Sequence, residues 1–346
     1  MLRRALRPGI PVPIVERSPE AFPLARTGRE DRRPRDPYEL AYGAALNQVW
    51  PCMRTRPTSF WLAALQKRRA RMEAETIDFA RPIEFASTEE RAAAIAFFNA
   101  AFRAEEVGLR QAHALAAEVV HWDADLAECL RLYGDEEGWH RKLLTEFLAY
   151  LGGAVRPMGR TTRTFYALSS RAKRMESIVL VNLMFETIGS TTYRIALRQI
   201  AHPTVRQMLA ILTRDEAFHV PLNVHFLREA LARAQGTATH LRLRALYHAV
   251  FVGLVASTVP SRRRAERFDR IARPVLARAY AESLARLFLE ESDLRLAPSK
   301  LLLRAFRLEE RELLRGPSTV SIEAAEQSID RENVAVDTPD TVREAV

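Results

Sequence analysis

The sequence contains the motif Glu-x-x-His twice, in two separate segments. Glu137 and His140 form one pair, and Glu216 and His219 form the other. Residues three apart lie on the same face of an α-helix, so each pair directs a carboxylate and an imidazole to one point. Two such pairs on facing helices supply part of a site for two metal ions, which predicts a bundle of helices.

A glutamate in an apolar run precedes each of these pairs. Glu105 lies 32 residues before Glu137, and Glu186 lies 30 residues before Glu216. The same unit, a glutamate followed by a Glu-x-x-His pair, therefore occurs twice at nearly equal spacing. Two further helices carrying these two glutamates would complete a dinuclear cage.

The residue next to Glu105 is also a glutamate, so the inward carboxylate must be chosen from the pattern. Glu105 has apolar or small residues three and four positions away on both sides. Glu106 has Arg103 and Arg110 at such positions, which is typical of a solvent-facing side chain. The pattern favours Glu105 and leaves Glu106 as the alternative.

The composition favours an all-α protein, because glycine is sparse, alanine, leucine and arginine are abundant, and alternating strand patterns are missing. We expect a four-helix bundle with additional flanking helices. The predicted bundle helices cover about 88–120, 124–151, 172–201 and 204–234. The predicted divisions are an N-terminal arm with short helices (1–87), the di-metal bundle (88–235), C-terminal helices packed on the bundle (236–315) and a disordered acidic tail (316–346).

Buried carboxylates that lie close together repel one another and need a compensating cation. Two divalent metal ions balance four carboxylates, and mixed carboxylate and imidazole ligation suits iron, with manganese as an alternative. We expect Glu137 and Glu216 to bridge the ions and Glu105 and Glu186 to be terminal. The predicted ligands are Glu105, Glu137, His140, Glu186, Glu216 and His219.

Over residues 88–235 this ligand set resembles the ferritin-like di-iron carboxylate proteins. The resemblance implies two iron ions and O2 as co-substrate, in a group whose members hydroxylate, desaturate, N-oxygenate or store iron. Length and flanking helices resemble the p-aminobenzoate N-oxygenase type, and the acidic residues beside the ligands resemble the acyl-carrier desaturases equally well. The N-oxygenase type has a third histidine one turn before the last pair, where this sequence has Leu212.

Further residues near the predicted ligands suggest supporting roles. Asp135 and Asp215 could each accept a hydrogen bond from a ligating imidazole. Ser190, four residues after Glu186, lies where related hydroxylases place a hydroxyl group that assists proton delivery. Tyr193, two turns after Glu186, could contact substrate, although a hydrogen-bonded core tyrosine is the more conservative interpretation.

The formal net charge is +9, and arginine is concentrated in runs such as Lys67–Arg71 and Arg262–Arg264. The simplest interpretation is a solvated basic surface; the alternative is a dock for an acidic partner such as an acyl or peptidyl carrier protein. No base-reading motif accompanies the arginines, so nucleic acid is not an expected partner. Two cysteines, no secretory signal and no apolar run long enough to span a membrane predict a cytoplasmic protein.

The interpretation that unites these features is an O2-activating non-haem di-iron oxygenase that acts on a small organic substrate, with a homodimer as the expected assembly. Electrons must come from an external donor, because no Gly-x-Gly-x-x-Gly fingerprint is visible. The alternatives are an acyl-carrier-type desaturase and a ferroxidase or iron-binding ferritin-like protein. A metal-free interaction protein would require the doubled motif to be a coincidence.

Overall fold

The computed structural model describes residues 56–158, 163, 173–234 and 236–315, and within these ranges all regular structure is helical. The predicted all-α class is confirmed. Residues 1–55 of the predicted N-terminal segment, and the predicted acidic tail, lie outside the described residues. The elements are α1 Thr58–Ala74, α2 Thr88–Val119, α3 Ala124–Tyr150, α4 Met175–Gln199, α5 Pro203–Arg233, α6 Thr237–Asp269, α7 Arg273–Glu290, a 3-10 turn Ser292–Leu294, α8 Lys300–Ala305 and α9 Glu310–Arg315.

Local hydrogen bonds define where the first two bundle helices begin and end. The Ser87 hydroxyl accepts from the Glu90 amide at 3.1 Å, and the Asp123 carboxylate accepts from the Leu126 amide at 2.9 Å. These side chains satisfy amides that have no partner inside the helix. Helix α3 ends at Tyr150, and Gly152 shortly after it has a φ of +69°, which is accessible to glycine without strain.

The bundle consists of two helical hairpins. Helix α2 packs along α3, and α4 packs along α5, and each pair is joined by a short connection that makes the helices antiparallel. Contacts between the hairpins are much sparser, which leaves room between them for polar side chains. Aromatic packing closes the core beyond that region, where the rings of Phe98 and Phe147 meet edge to face at 4.6 Å.

The remaining helices surround the bundle. Helix α1 packs on α3, while α6 lies against α2 and α4, and α7 lies against α4 and α6. Trp61 and Leu65 of α1 are almost completely buried, so burial of apolar surface holds this helix to the bundle. Among the described helices, none combines the length and the hydropathy needed to cross a bilayer.

Candidate metal centre

Helices α3 and α5 carry the two Glu-x-x-His pairs on faces that point into the bundle. All four side chains are buried, and both imidazoles are fully inaccessible to solvent. The Nδ1 atom of His219 lies 3.1 Å from Oε1 of Glu137 on the facing hairpin and 3.9 Å from Oε2 of Glu216. The two pairs therefore converge on one region of the core.

Helices α2 and α4 add one carboxylate each to this region. Oε2 of Glu105 lies 3.3 Å from Nδ1 of His140, and Oε2 of Glu186 lies 3.6 Å from Nδ1 of His219. In contrast, Glu106 faces outward and forms an ion pair with Arg103 at 2.6 Å. The structure thus brings the six predicted ligands together and places Glu105, rather than Glu106, among them.

Two overlapping groups of these side chains have the spacing of metal ligands. In each group, one potential ligand atom per residue lies within 4.8 Å of the others. His219 belongs to both groups, so the two groups are adjacent. The groups are Glu137 with His140 and His219, and Glu186 with Glu216 and His219.

Several atoms in this cluster are buried without a hydrogen bond of acceptable geometry. They are Oε1 of Glu105, Oε1 of Glu137, Oε2 of Glu216 and Nδ1 of His219. A buried polar atom without a partner costs roughly 1–3 kcal/mol, and more when it carries charge. Carboxylate oxygens and imidazole nitrogens are ligands for divalent iron, manganese or zinc. The donor set therefore fits a metal centre.

Crowding of carboxylates shifts their proton affinity. Burial raises the pKa of Glu137 well above its ordinary value, and the nearby charges of Glu105 and Glu186 raise it further. Burial likewise raises the pKa of Glu216, together with the adjacent charge of Glu186. Burial would also raise the pKa of Glu186, but its close contacts with Glu216 and His219 and the hydrogen bond from Tyr133 outweigh burial and lower that pKa to about 2. A divalent cation would replace protons as the compensating charge.

The outer nitrogen of each imidazole is held by a carboxylate from the opposite hairpin. Nε2 of His140 lies 3.0 Å from Oδ2 of Asp215, and Nε2 of His219 lies 2.9 Å from Oε2 of Glu136. Such partners fix the ring and leave Nδ1 for the metal. Burial would lower the pKa of His140, but the hydrogen bonds that its ring donates to Asp215 and Glu105 raise this pKa to about 10.

The expectation that Asp135 serves one imidazole is wrong, whereas Asp215 does contact one. Asp135 is directed away from the core and bonds His113 at 3.1 Å and Arg131 at 2.6 Å. Glu136 takes the expected place. The sequence does contain a signal for Glu136. Glu136 and Asp215 occupy the same position in the two motifs, directly before a predicted ligand glutamate.

Two buried residues beside the ligands were not predicted. The Tyr133 hydroxyl donates to Oε1 of Glu186 at 2.5 Å, and its ring meets the His219 ring edge to face at 4.9 Å. Tyr133 lies one turn before Glu137, so helical spacing alone could have indicated its position. Arg68 of α1 is completely buried, so the interpretation of Lys67–Arg71 as a solvated basic run is wrong for this residue.

A cavity of about 30 Å³ lies against the four carboxylates, enough for a molecule of about the size of water. Gly108, Gly189 and Tyr193 contribute to its wall, together with Asn182 one turn before Glu186. Ser190 is half-buried and does not line this cavity. The geometry therefore places Tyr193, but not Ser190, in the wall of the cavity beside the four carboxylates.

The position that would hold a third histidine in an N-oxygenase is part of the apolar core. Leu212 is fully buried within α5. His225 of α5 has a different role, because its ring contacts the Thr58 hydroxyl at 3.2 Å and stacks on Trp61. Its role is to join α1 to α5.

Comparison with known proteins gives one result. Residues 78–222 match the family model described as a ferritin-like domain, and this span contains the six predicted ligands. No curated protein and no solved structure matches the chain significantly. The match and the helical bundle support membership of the ferritin-like superfamily, while the N-oxygenase and desaturase resemblances stay predictions.

Proposed function

We propose that this ferritin-like bundle houses a di-iron centre and that the protein is an O2-dependent oxygenase of a small organic substrate. The observation that carries the proposal is the cluster of four glutamates and two histidines, buried together and leaving ligand atoms without hydrogen-bond partners. Burying such a cluster in an apolar core is energetically unfavourable unless a cation compensates its negative charge.

The donor set supports a pair of hard or borderline divalent ions. Four carboxylates balance two such ions, and two neutral imidazoles complete the set. Glu105 and His140 approach each other on one side, and Glu186 and His219 approach each other on the other. Glu105 and His140 would hold one ion, Glu186 and His219 would hold the other, and Glu137 and Glu216 would be available to both, with iron as the proposed metal.

The chain's own residues prepare this centre in three ways. Glu136 and Asp215 orient the imidazoles, and Tyr133 holds one oxygen of Glu186. Apolar helices exclude bulk water, which strengthens every charge interaction inside. When bound, reduced iron would supply the electrons that O2 needs. Because turnover would leave the iron oxidised, an external donor would have to restore those electrons each time.

The overall reaction defines what must reach the centre. Inserting one oxygen atom of O2 into a C–H or N–H bond and reducing the other to water consumes two electrons and two protons from outside. The cavity wall includes Ala104, Val107 and Phe185, which are only partly buried, so the approach from solvent lies between α2 and α4. This apolar wall favours an uncharged portion of the substrate next to the carboxylates.

A second candidate function is ferroxidation, and the size of the cavity favours it. A space of about 30 Å³ has room only for a molecule of about the size of water, so an organic substrate requires the wall between α2 and α4 to move. In that case Fe(II) is the substrate, and its electrons reduce O2 with no organic product. The desaturase alternative has no observation of its own in its favour.

Metal analysis and product analysis separate these functions. Purified protein loaded anaerobically with Fe(II) should bind two ions per chain and consume O2 after reduction. An oxygenase incorporates label from ¹⁸O2 into an added substrate, a desaturase gives an unlabelled alkene, and a ferroxidase consumes O2 in proportion to added Fe(II). A chain that binds no metal under these conditions would exclude all three.

A further inference from the structure

Helix α1 precedes the ferritin-like match at 78–222 but sends one charged side chain into the centre of the bundle. Arg68 donates from Nε to Oε1 of Glu136 at 2.8 Å and from Nη2 to Oδ1 of Asp215 at 2.8 Å. Its side chain has no exposure to solvent, and its guanidinium lies 4.2 Å from the centre of the Phe218 ring. One arginine therefore joins a carboxylate of α3 to a carboxylate of α5.

These two carboxylates are the ones that hold the imidazoles. The second oxygen of Glu136 contacts Nε2 of His219, and the second oxygen of Asp215 contacts Nε2 of His140. The result is one continuous chain from His219 through Glu136, Arg68 and Asp215 to His140. Every link in it is between 2.8 and 3.0 Å long.

The Arg68 guanidinium can fix the orientation of both imidazoles through the two carboxylates that it contacts. A carboxylate that accepts from arginine through one oxygen is fixed in rotation, so its other oxygen defines the position of the imidazole N–H. That N–H occupies Nε2 and leaves the lone pair of Nδ1 directed at the carboxylates of the centre. The planar fork of arginine reaches both carboxylates at once, which a single ammonium group does not do.

We infer that Arg68 is a positioning residue shared by both halves of the proposed metal centre, which sets the orientation of His140 and His219 together. The inference rests on the proposed metal function, and it makes α1 part of the functional unit. Arg71 and Arg214 supply further cations to Asp215, at 2.7 and 2.9 Å. Arg68 differs from them in being the link between the two acids.

Cobalt(II) is a suitable probe because its visible spectrum reports ligand geometry independently of activity. We expect the wild type to bind two Co(II) ions per chain. In Arg68→Met, both ions should bind more weakly, by roughly the 10- to 100-fold typical of losing an outer partner of a metal ligand. The visible bands should shift as well, since both imidazoles lose their fixed orientation. Arg68→Lys keeps the charge without the fork and should perturb the spectrum of one ion more than the other.

Arg228 provides the matched control. It lies on α5 and pairs with two acids, Glu291 and Asp293, through a largely buried guanidinium. Arg228→Met should therefore lower the melting temperature while leaving Co(II) affinity and spectrum unchanged. This comparison separates a positioning role from a general loss of stability.

The outcomes distinguish this inference from the proposed function. A wild-type chain that binds no Co(II) overturns the metal centre itself. Wild-type affinity and spectrum in both Arg68 variants overturn the role of Arg68 while leaving the metal centre intact. If neither Arg68 variant folds, Glu136→Gln and Asp215→Asn decide the matter: each must change the spectrum of the wild-type complex, and an unchanged spectrum in either one overturns the inference.

Discussion

A Cβ atom placed on Gly108 would lie 2.8 Å from Oε2 of Glu137, which is closer than a Cβ atom approaches other heavy atoms in folded proteins. Gly108 therefore sets the space that the Glu137 carboxylate occupies. In Gly108→Ala the new methyl group should displace this carboxylate and weaken metal binding by at least tenfold. Equilibrium dialysis with Fe(II) or Co(II) would measure the loss.

The matched control is another glycine on the facing helix. A Cβ on Gly138 would meet Leu109 at 3.5 Å, an ordinary contact. Gly138→Ala should therefore keep the metal affinity and stabilise α3 by about 0.5–1 kcal/mol, since alanine restricts the unfolded chain more than glycine does. Equal metal affinity in the two variants would contradict the steric argument.

The adjacent glutamates of α2 provide a second matched pair. Glu105 is 2% exposed and faces His140, whereas Glu106 pairs with Arg103 at the surface. Glu105→Ala should reduce the bound metal to less than two ions per chain and abolish O2 consumption. Glu106→Ala should retain both ions, and stability should change by less than about 1 kcal/mol because surface ion pairs contribute little. The reverse pattern would show that the ligand had been assigned to the wrong neighbour.

Removal of metal should destabilise the folded chain. The ligands come from four helices and are distant in sequence, so the unfolded chain offers no comparable site. Each occupied site then stabilises the fold by about 2.7 kcal/mol when free metal is about 100 times its Kd. Scanning calorimetry with and without a chelator should show a lower melting temperature for the stripped protein. Identical melting curves would argue against metal ions at these ligands.

His225 should make the fold sensitive to acid. Burial, reinforced by the charge of Arg228, lowers the pKa of this histidine from 6.5 to about 4. Between these values the unfolded chain takes up a proton that the folded chain does not, so the free energy of unfolding falls as the pH is lowered. Below about pH 4 the folded chain is protonated as well, and this contribution to stability is gone.

The variant His225→Gln tests this assignment. Glutamine keeps a polar group near Thr58 but has no proton equilibrium in this range. Urea unfolding at several pH values from 7 to 4 should show a shallower decline for the variant than for the wild type. If the free energy of unfolding falls equally in both proteins as the pH is lowered, groups other than His225 cause the acid sensitivity.

Local periodicity was sufficient to predict the bundle and the inward faces of its helices. The spacing of Glu137 with His140 and of Glu216 with His219, set among apolar residues, predicts both a helix and its buried side. The structure brings these residues together with Glu105 and Glu186, as expected. Their roles as ligands stay predictions until a metal is measured.

The network around the imidazoles could not be predicted in the same way. Arg68 lies 68 residues from Glu136 and 147 residues from Asp215, and it sits in a basic run that is typical of a surface helix. No spacing rule within one helix relates these three positions. Asp135 shows the opposite failure, because a residue beside the motif can still fall on the outer face of α3. Ser190 likewise lies near the ligands in sequence but outside the cavity lining.

Each helical hairpin supplies the carboxylate that contacts the buried histidine of the other hairpin, so the two hairpins depend on each other. Glu136 on α3 steadies the ring of His219 on α5, and Asp215 on α5 steadies the ring of His140 on α3. A polypeptide cut between α3 and α4 would yield two fragments, each with a histidine whose support resides on the other. Neither fragment alone should bind the proposed metal ions. Mixing the two fragments should restore the support of both histidines, and with it metal binding, in a single step.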